Sequence, residues 1–239
     1  MDHKDAYLDT DAQERERGIT IFSKQAVFTY DGMEITLLDT PGHVDFSAEM
    51  ERTLQVLDYA ILVINGMDGV QSHTDTLWKL LKRYEIPTFI FVNKMDMEGT
   101  DKDAVFQNIR KKLDGDCVDF SSGDRDEQIA MADERLLDTY LDSGMVETED
   151  IIEAILDRKI FPCFWGSALK LSGVQELLDA MNTYMVMPAY NAEFGGRIFK
   201  ISRDAKGERL TYMKVTGGSL KCRAVSYTHL RAHETGRNL

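Results

Sequence analysis

The sequence lacks the features that are typical of secreted, membrane-spanning and non-specific nucleic-acid-binding proteins. Its three cysteines, Cys117, Cys163 and Cys222, have neither the number nor the spacing of a disulfide framework or a metal motif. The most apolar stretch, residues 59–64, is too short to cross a bilayer. A net charge of −13 leaves little positive charge for neutralising phosphates. These absences argue against a membrane span and against DNA binding, and they favour a reducing, cytoplasmic location.

The hydrophobic pattern is that of an α/β domain. The chain has 239 residues, of which 43% are hydrophobic, enough for one large core. Strand-length apolar runs at 59–64, 88–92 and 160–165 alternate with helical patterns, which we place at 48–58, 71–84, 102–114, 128–142, 147–158 and 174–185. This alternation predicts a parallel sheet with right-handed crossovers and helices on both faces. Residues 116–126 are rich in Gly and Asp and are predicted to form a solvated loop.

A hairpin is predicted near the beginning of the chain, and its second strand ends in a carboxylate. Asp31-Gly32 separates two β-rich runs and is a strong turn signal. The second run is continuously apolar, which predicts a strand covered on both faces, and it ends at Asp39. Ligands of open α/β sheets bind beyond the carboxyl ends of strands. We therefore predict that Asp39 faces a phosphate-bound Mg²⁺, that Gly42 faces a terminal phosphate and that His43 faces an attacking water. The alternative is a plain strand-to-helix turn.

A second polar cluster, Asn93-Lys94-Met95-Asp96, follows the predicted strand at 88–92. The carboxylate of Asp96 can accept two hydrogen bonds from the N1–H and amino group of guanine, which adenine does not offer. Asn93 can bind the purine N7 or tie two loops together, and the stem of Lys94 can lie along the base. The alternative is an ordinary surface loop of mixed charge.

Two weaker signals complete the candidate site. The backbone N–H groups of Ser167 and Ala168, after the last predicted strand, could bind the guanine O6. The hydroxyl of Thr20 could ligate Mg²⁺ while its N–H meets the outer phosphate. Neither residue type is diagnostic by itself, and each assignment depends on the other parts of the site.

Taken together, the motifs resemble those of translational GTPases of the elongation factor G branch. The segment between Asp96 and Ser167 resembles the tetracycline-resistance ribosomal protection proteins more than a translocase. The matching runs are Arg17-Gly18-Ile19-Thr20-Ile21, Asp39-Thr40-Pro41-Gly42-His43-Val44-Asp45-Phe46, Asn93-Lys94-Met95-Asp96 and Gly166-Ser167-Ala168-Leu169-Lys170.

The resemblance implies a P-loop-NTPase-like fold that binds GTP or GDP with Mg²⁺ and hydrolyses GTP on the ribosome. Thr20 and Asp39 would lie near the metal, and Gly42 would sense the γ-phosphate. His43 would orient the attacking water when large-subunit RNA and proteins fix it. Asn93, Lys94 and Asp96 would select guanine. A monomer is expected. Translocation, ribosomal protection and release-factor recycling remain open alternatives.

The sequence departs from the family in one respect, since no Gly-rich phosphate loop ending in Lys-Ser or Lys-Thr precedes Thr20. We expect an N-terminally truncated GTP-binding domain at 1–188, without its first strand and phosphate loop. The start of a β-barrel domain is expected at 195–225, and an irregular, non-native tail at 226–239. The alternative function is a non-catalytic remnant that binds a ribosome or partner and holds nucleotide weakly.

Overall fold

The computed structural model describes residues 24–40, 47–203 and 206–221. Contacts divide the chain into two compact units, Met1–Pro188 and Ala189–Leu239, which are described separately. Three predicted site residues, Thr20, Gly42 and His43, lie outside the described residues, as does the predicted tail.

The described part of the first unit contains six strands and seven helices. In chain order they are β1 (Lys24–Tyr30), β2 (Met33–Asp39), α1 (Ser47–Leu54), β3 (Ala60–Asn65), α2 (Ser72–Arg83), β4 (Thr88–Asn93), α3 (Lys102–Lys112), β5 (Cys117–Asp119), α4 (Arg125–Ala130), α5 (Glu134–Ser143), α6 (Thr148–Leu156), β6 (Phe161–Trp165) and α7 (Val174–Tyr184).

A parallel sheet in the order β3-β4-β6-β5 forms the centre of this unit as described. Alternate side chains of β4 enter two different cores, because successive residues of a strand point to opposite faces. Phe89 and Phe91 pack in a core with residues of α4 to α7. Ile90 and Val92 pack in a core with residues of α1 to α3. The continuous apolar run of β4 is therefore explained by burial on both faces, and the predicted α/β class with helices on both faces is confirmed.

The first hairpin has its turn where Asp31-Gly32 predicts it. Strands β1 and β2 pair antiparallel from Lys24 opposite Asp39 to Tyr30 opposite Met33. Asp31 and Gly32 have φ values of 44° and 83°. Two consecutive left-handed residues define the hairpin turn that best matches strand twist, and Asp-Gly is a favoured pair for it.

The expectation that β2 is covered on both faces was wrong. Within the described residues, β2 pairs with β1 alone and makes no ladder with the parallel sheet. Leu37 retains 39% of its exposure. Met33 and Ile35 pack against the core beneath α7, and the Tyr30 hydroxyl donates a hydrogen bond to Asp179 of α7. An apolar run therefore indicates a buried strand only where a neighbouring strand and helices cover it.

Two local predictions also need correction. The segment predicted as a loop at 116–126 contains β5, a three-residue buried strand that pairs with β6 at the sheet edge. The single helix predicted at 128–142 is two helices, α4 and α5. The break falls at Asp133, whose carboxylate accepts a hydrogen bond from the Arg135 N–H at 3.0 Å and caps α5.

The second unit contains an antiparallel hairpin in its described residues. Strand β7 (Gly195–Arg203) pairs with β8 (Arg209–Gly217), with register shifts near Gly195 and Ile198. This hairpin lies where the start of a β-barrel domain is expected, and the barrel itself stays a prediction. Across the described ranges, no helix combines the length and apolar character needed to span a membrane.

Candidate functional site

The candidate site is built where two neighbouring strands end. Strands β4 and β6 are adjacent and parallel, with Val92 in register with Trp165. The loops that follow them therefore emerge side by side. Asn93 ends β4 and the loop after it carries Lys94 and Asp96, whereas the loop after β6 carries Ser167 and Ala168. The arrangement places these five predicted residues together at the carboxyl edge of the sheet, where α/β proteins bind ligands.

Hydrogen bonds join the two loops to each other. The Met95 N–H donates to the Gly166 carbonyl at 3.0 Å. The Asn93 side-chain oxygen accepts from the Ala168 N–H and from the Lys94 N–H, both at 2.8 Å. Of the two roles predicted for Asn93, this geometry supports tying the loops together. Any ligand at this edge therefore meets a linked pair of loops.

Two backbone features fix the shape of this edge. Lys94 lies in the left-handed region with φ of 66°, a conformation that a non-glycine residue keeps only when its surroundings hold it there. A Cβ atom on Gly166 would fall 2.0 Å from the Ser172 carbonyl oxygen and 2.9 Å from the Phe91 ring. The close approach of the β6 loop to Phe91 and Ser172 therefore requires glycine at position 166.

Asp96 is held by two donors from the neighbouring loop. The Ser167 hydroxyl donates a hydrogen bond to its carboxylate, and the Lys170 Nζ lies 3.0 Å from Oδ2. These two donors hold the pKa of Asp96 below its usual value, with the Ser167 hydrogen bond as the largest cause. Asp96 is thus an ionised acceptor at neutral pH, as a reader of the guanine N–H groups must be.

The two N–H groups predicted to bind the guanine O6 both have partners in this structure. The Ser167 N–H donates to the Ser172 carbonyl at 2.9 Å, and the Ala168 N–H donates to Asn93. Contact with O6 would require one of these bonds to be shared or exchanged. The residues are correctly located for the role, and the role itself stays a prediction.

Asp39 lies apart from this group. It is the last residue of β2, opposite Lys24, and is partly buried. The hairpin that carries it forms no β-ladder with the parallel sheet within the described ranges. Those ranges also contain no cluster of three or more His, Cys, Asp or Glu side chains that could hold a metal. Mg²⁺ in phosphate-binding sites uses one or two carboxylates plus phosphate oxygens, so a single carboxylate such as Asp39 fits that role.

Sequence reasoning missed a polar network beneath the site. Asp119, at the end of β5, accepts hydrogen bonds from the Ser121 N–H at 3.0 Å, the Ser121 hydroxyl at 2.7 Å and Trp165 Nε1 at 2.9 Å. Its other oxygen lies 2.6 Å from Lys102 Nζ. Trp165 is the last residue of β6, so this network fixes the strand end from which the Ser167 loop starts. No local pattern pairs residues so far apart in sequence.

Sequence comparisons agree with the motifs. Residues 1–187 match the elongation factor Tu GTP binding domain. The tetracycline resistance protein TetP of Clostridium perfringens is 35% identical, with 88% of this chain and 36% of that protein covered. The oxytetracycline resistance protein of Streptomyces rimosus is also 35% identical, with 94% and 38% covered. The predicted likeness to tetracycline-resistance proteins and to translational GTPases is confirmed.

A structural comparison agrees on the fold. A solved protein from Thermus thermophilus superposes with a TM-score of 0.79 at 21% identity, covering 92% of this chain and 41% of that one. The chain spans a little over a third of the curated relatives it matches, 36% and 38% in the two above.

Proposed function

Because the chain belongs to the elongation factor Tu GTP-binding domain family, we propose that it binds guanine nucleotides as part of a translational GTPase. The observation that supports this most directly is the linked pair of loops at the ends of β4 and β6. They present an ionised carboxylate, Asp96, beside the amide of Asn93 and the buried hydroxyl of Ser167. That set distinguishes guanine from adenine by hydrogen bonding alone.

Each residue of this set has a specific part in recognition. Asp96 accepts from the guanine N1–H and 2-amino group, and Asn93 keeps the Ser167 loop in place. The Lys94 stem lies along the base, and the Ala168 or Ser167 N–H reaches O6 once its present bond is shared. Removing the carboxylate charge would leave the two guanine donors without their acceptor, which is the basis of the test below.

Phosphate chemistry belongs to the other end of the proposed site. Asp39 and Thr20 would hold Mg²⁺, which supplies charge neutralisation to the phosphates when it is bound with GTP. Gly42 offers its N–H to the γ-phosphate, and His43 orients a water for attack. In this proposal the products are GDP and phosphate. Release of the phosphate frees the segment that carries Thr20 and the segment that carries Gly42 and His43.

For the whole protein we propose hydrolysis stimulated by the ribosome in the cytoplasm, with large-subunit RNA and proteins completing the site of a monomeric factor. Ribosomal protection against tetracycline is favoured over translocation and release-factor recycling. The support is the naming of relatives at 35% identity as tetracycline and oxytetracycline resistance proteins, of which this chain spans a little over a third.

A non-catalytic binding module is the second candidate. It is favoured by the N–H groups of Ser167 and Ala168, which already donate within the protein. It is favoured also by the sequence, which contains no Gly-rich run ending in Lys-Ser or Lys-Thr. Phosphate release from GTP, measured with and without ribosomes, separates the two: an enzyme is stimulated by ribosomes, whereas a module binds them without turnover.

The base-reading proposal is tested by Asp96→Asn. An amide keeps the size of the side chain but replaces one acceptor oxygen with a donor, which suits the 2-carbonyl of xanthine. We expect affinity for GDP to fall at least about tenfold, since hydrogen bonds to charged groups are the stronger kind, and affinity for XDP to rise. Amide shifts in NMR titrations measure both, even at millimolar dissociation constants.

Asp103→Asn is the matched control, because Asp103 is exposed on the neighbouring helix α3 and the substitution removes the same charge. It should leave both affinities unchanged. If Asp96→Asn leaves the choice of nucleotide unchanged, Asp96 does not read the base.

A further inference from the structure

The acceptor proposed to read guanine is held by a lysine to which the sequence motifs assign no role. Lys170 lies four residues after Gly166, on the turn that follows β6. Its ammonium reaches across to the loop after β4 and lies 3.0 Å from Oδ2 of Asp96. The Asp96 side chain is 24% exposed and that of Lys170 is 61% exposed. The pair is therefore open to a ligand from the solvent side.

The turn that carries Lys170 is closed by the protein's own hydrogen bonds. Ser167 and Ser172 exchange backbone bonds, at 2.9 Å from the Ser167 N–H and 3.1 Å from the Ser172 N–H. The Lys170 N–H donates to the Ser167 carbonyl at 3.1 Å, and Leu171 adopts φ of 57°. These bonds fix the backbone on both sides of Lys170, so its flexible side chain starts from a defined point near Asp96.

The hydroxyl of Ser167 provides the second hold on the same carboxylate. Ser167 is buried at 2% exposure, and its hydroxyl donates to Asp96. A carboxylate has about four lone-pair positions on its two oxygens. Lys170 and Ser167 each take one of them, and the Asp96 backbone N–H also donates to the carboxylate. These donors therefore decide which acceptor positions remain to face guanine.

We propose that Lys170 is a positioning residue that orients the Asp96 carboxylate so that its remaining acceptor positions meet guanine. The inference rests on the proposed function, because it concerns how the same base-reading carboxylate is held. It predicts that Lys170 contributes to the choice of base without touching the base. A lysine that instead occupied the guanine position would compete with the ligand, and its removal would then strengthen binding.

The first test needs no nucleotide. In Lys170→Met the Asp96 carboxyl loses its ammonium partner, so its pKa, followed by carbon NMR, should rise towards the usual range for Asp. Lys170→Arg should restore the wild-type titration. Lys79→Met is the control, because Lys79 forms another exposed Lys–Asp pair, with Asp75 at 2.6 Å on helix α2, away from the loops after β4 and β6. If Asp96 titrates alike in wild type and Lys170→Met, Lys170 does not act on the Asp96 carboxylate and the proposal is overturned.

The second test compares GDP with IDP, whose base lacks the 2-amino group. Lys170→Met should weaken GDP binding about threefold, the scale of an exposed ion pair, and weaken IDP binding less. The preference for GDP over IDP therefore falls, and it recovers in Lys170→Arg. The difference should shrink in high salt, which screens an exposed pair.

Two results of this comparison would overturn the proposal. Equal losses for GDP and IDP would mean that Lys170 only supports the turn, and tighter GDP binding would mean that it competes with the base. A wild-type chain that does not prefer GDP over ADP would instead refute the guanine site itself. In that case the titration of Asp96 still decides whether Lys170 holds the carboxylate.

Discussion

Two aspartates near the ends of β4 and β5, the strands on either side of β6, have the same kinds of partner but differ in exposure. Asp96 and Asp119 each pair with a lysine and accept from a serine hydroxyl. The Asp96 side chain is 24% exposed, whereas that of Asp119 is 9% exposed and also accepts from Trp165. In the proposed site, the more open carboxylate of Asp96 offers acceptor positions to a ligand. The closed one uses its positions inside the protein and is structural.

The structural role of Asp119 predicts a loss of stability in Asp119→Asn. Burial by itself would raise the pKa of Asp119, but hydrogen bonds from Lys102, Ser121 and Trp165 outweigh burial and lower it. The amide loses the ion pair with Lys102 and turns one acceptor into a donor. We expect the free energy of unfolding to fall by about 1–3 kcal/mol at pH 7, measured by urea denaturation followed by circular dichroism.

The same variant should have a defined pH dependence. A carboxyl whose folded-state pKa is depressed stabilises the fold above its unfolded value, about 3.9. This contribution is lost as pH falls through the lower folded-state value. The difference in free energy of unfolding between wild type and Asp119→Asn should therefore be at its maximum at pH 7 and should disappear on acidification below pH 4. Asp138→Asn, on the exposed side of α5, should show no such difference. A difference that persists at the lowest pH would refute the charge-based account.

Individual site residues could be predicted from sequence where they directly follow an apolar strand. Asn93 ends β4, Asp96 follows it, and Ser167 follows β6, so their meeting at one edge follows from a parallel sheet. The roles of Lys170 and Asp119 could not be predicted. Each depends on a contact between residues far apart in sequence, such as that of Asp119 with Trp165, 46 positions apart.

At the scale of elements, the loop after β6 depends on one glycine. A Cβ on Gly166 would lie 2.0 Å from the Ser172 carbonyl oxygen, and backbone cannot yield as a flexible side chain does. Gly166→Ala should lower the free energy of unfolding by about 1–3 kcal/mol through overpacking, and should move the Ser167 amide signal in NMR spectra.

Gly115→Ala is the control for that substitution, because no atom lies within 4 Å of the position a Cβ would take there. Both variants lose the same backbone freedom in the unfolded state, so the comparison isolates the clash. Equal stability of the two variants would show that the β6 loop can move away from Gly166 without cost.

The elements themselves were predictable to different degrees. Asp31-Gly32 specifies its turn through local backbone chemistry, and β4 shows its burial by an unbroken apolar run. The exposure of β2 was not predictable, because Leu37 is covered or open according to which strand lies beside it. Strand β5 was missed because its three residues, Cys117–Asp119, are too few to show a periodicity.

At the scale of the whole molecule, the proposed site has two ends that the chain supports unequally. The base end is assembled by hydrogen bonds between two described loops. The phosphate end relies on Thr20, Gly42 and His43, which lie outside the described residues, and on Asp39 of the separate hairpin. In related folds the phosphates are held mainly by a Gly-rich loop, through its backbone N–H groups and a lysine. The 239-residue sequence contains no such run.

This imbalance predicts how the chain binds nucleotides. With the base end intact and the main phosphate anchors lacking, GTP with Mg²⁺ should bind with a dissociation constant weaker than micromolar in isothermal titration. GTP should also gain little over guanosine, because added phosphates contribute only through anchors that hold them. A micromolar or tighter GTP complex would contradict this expectation. A large advantage of GTP over guanosine would do so as well, since other residues of the chain would then have to form the phosphate cradle.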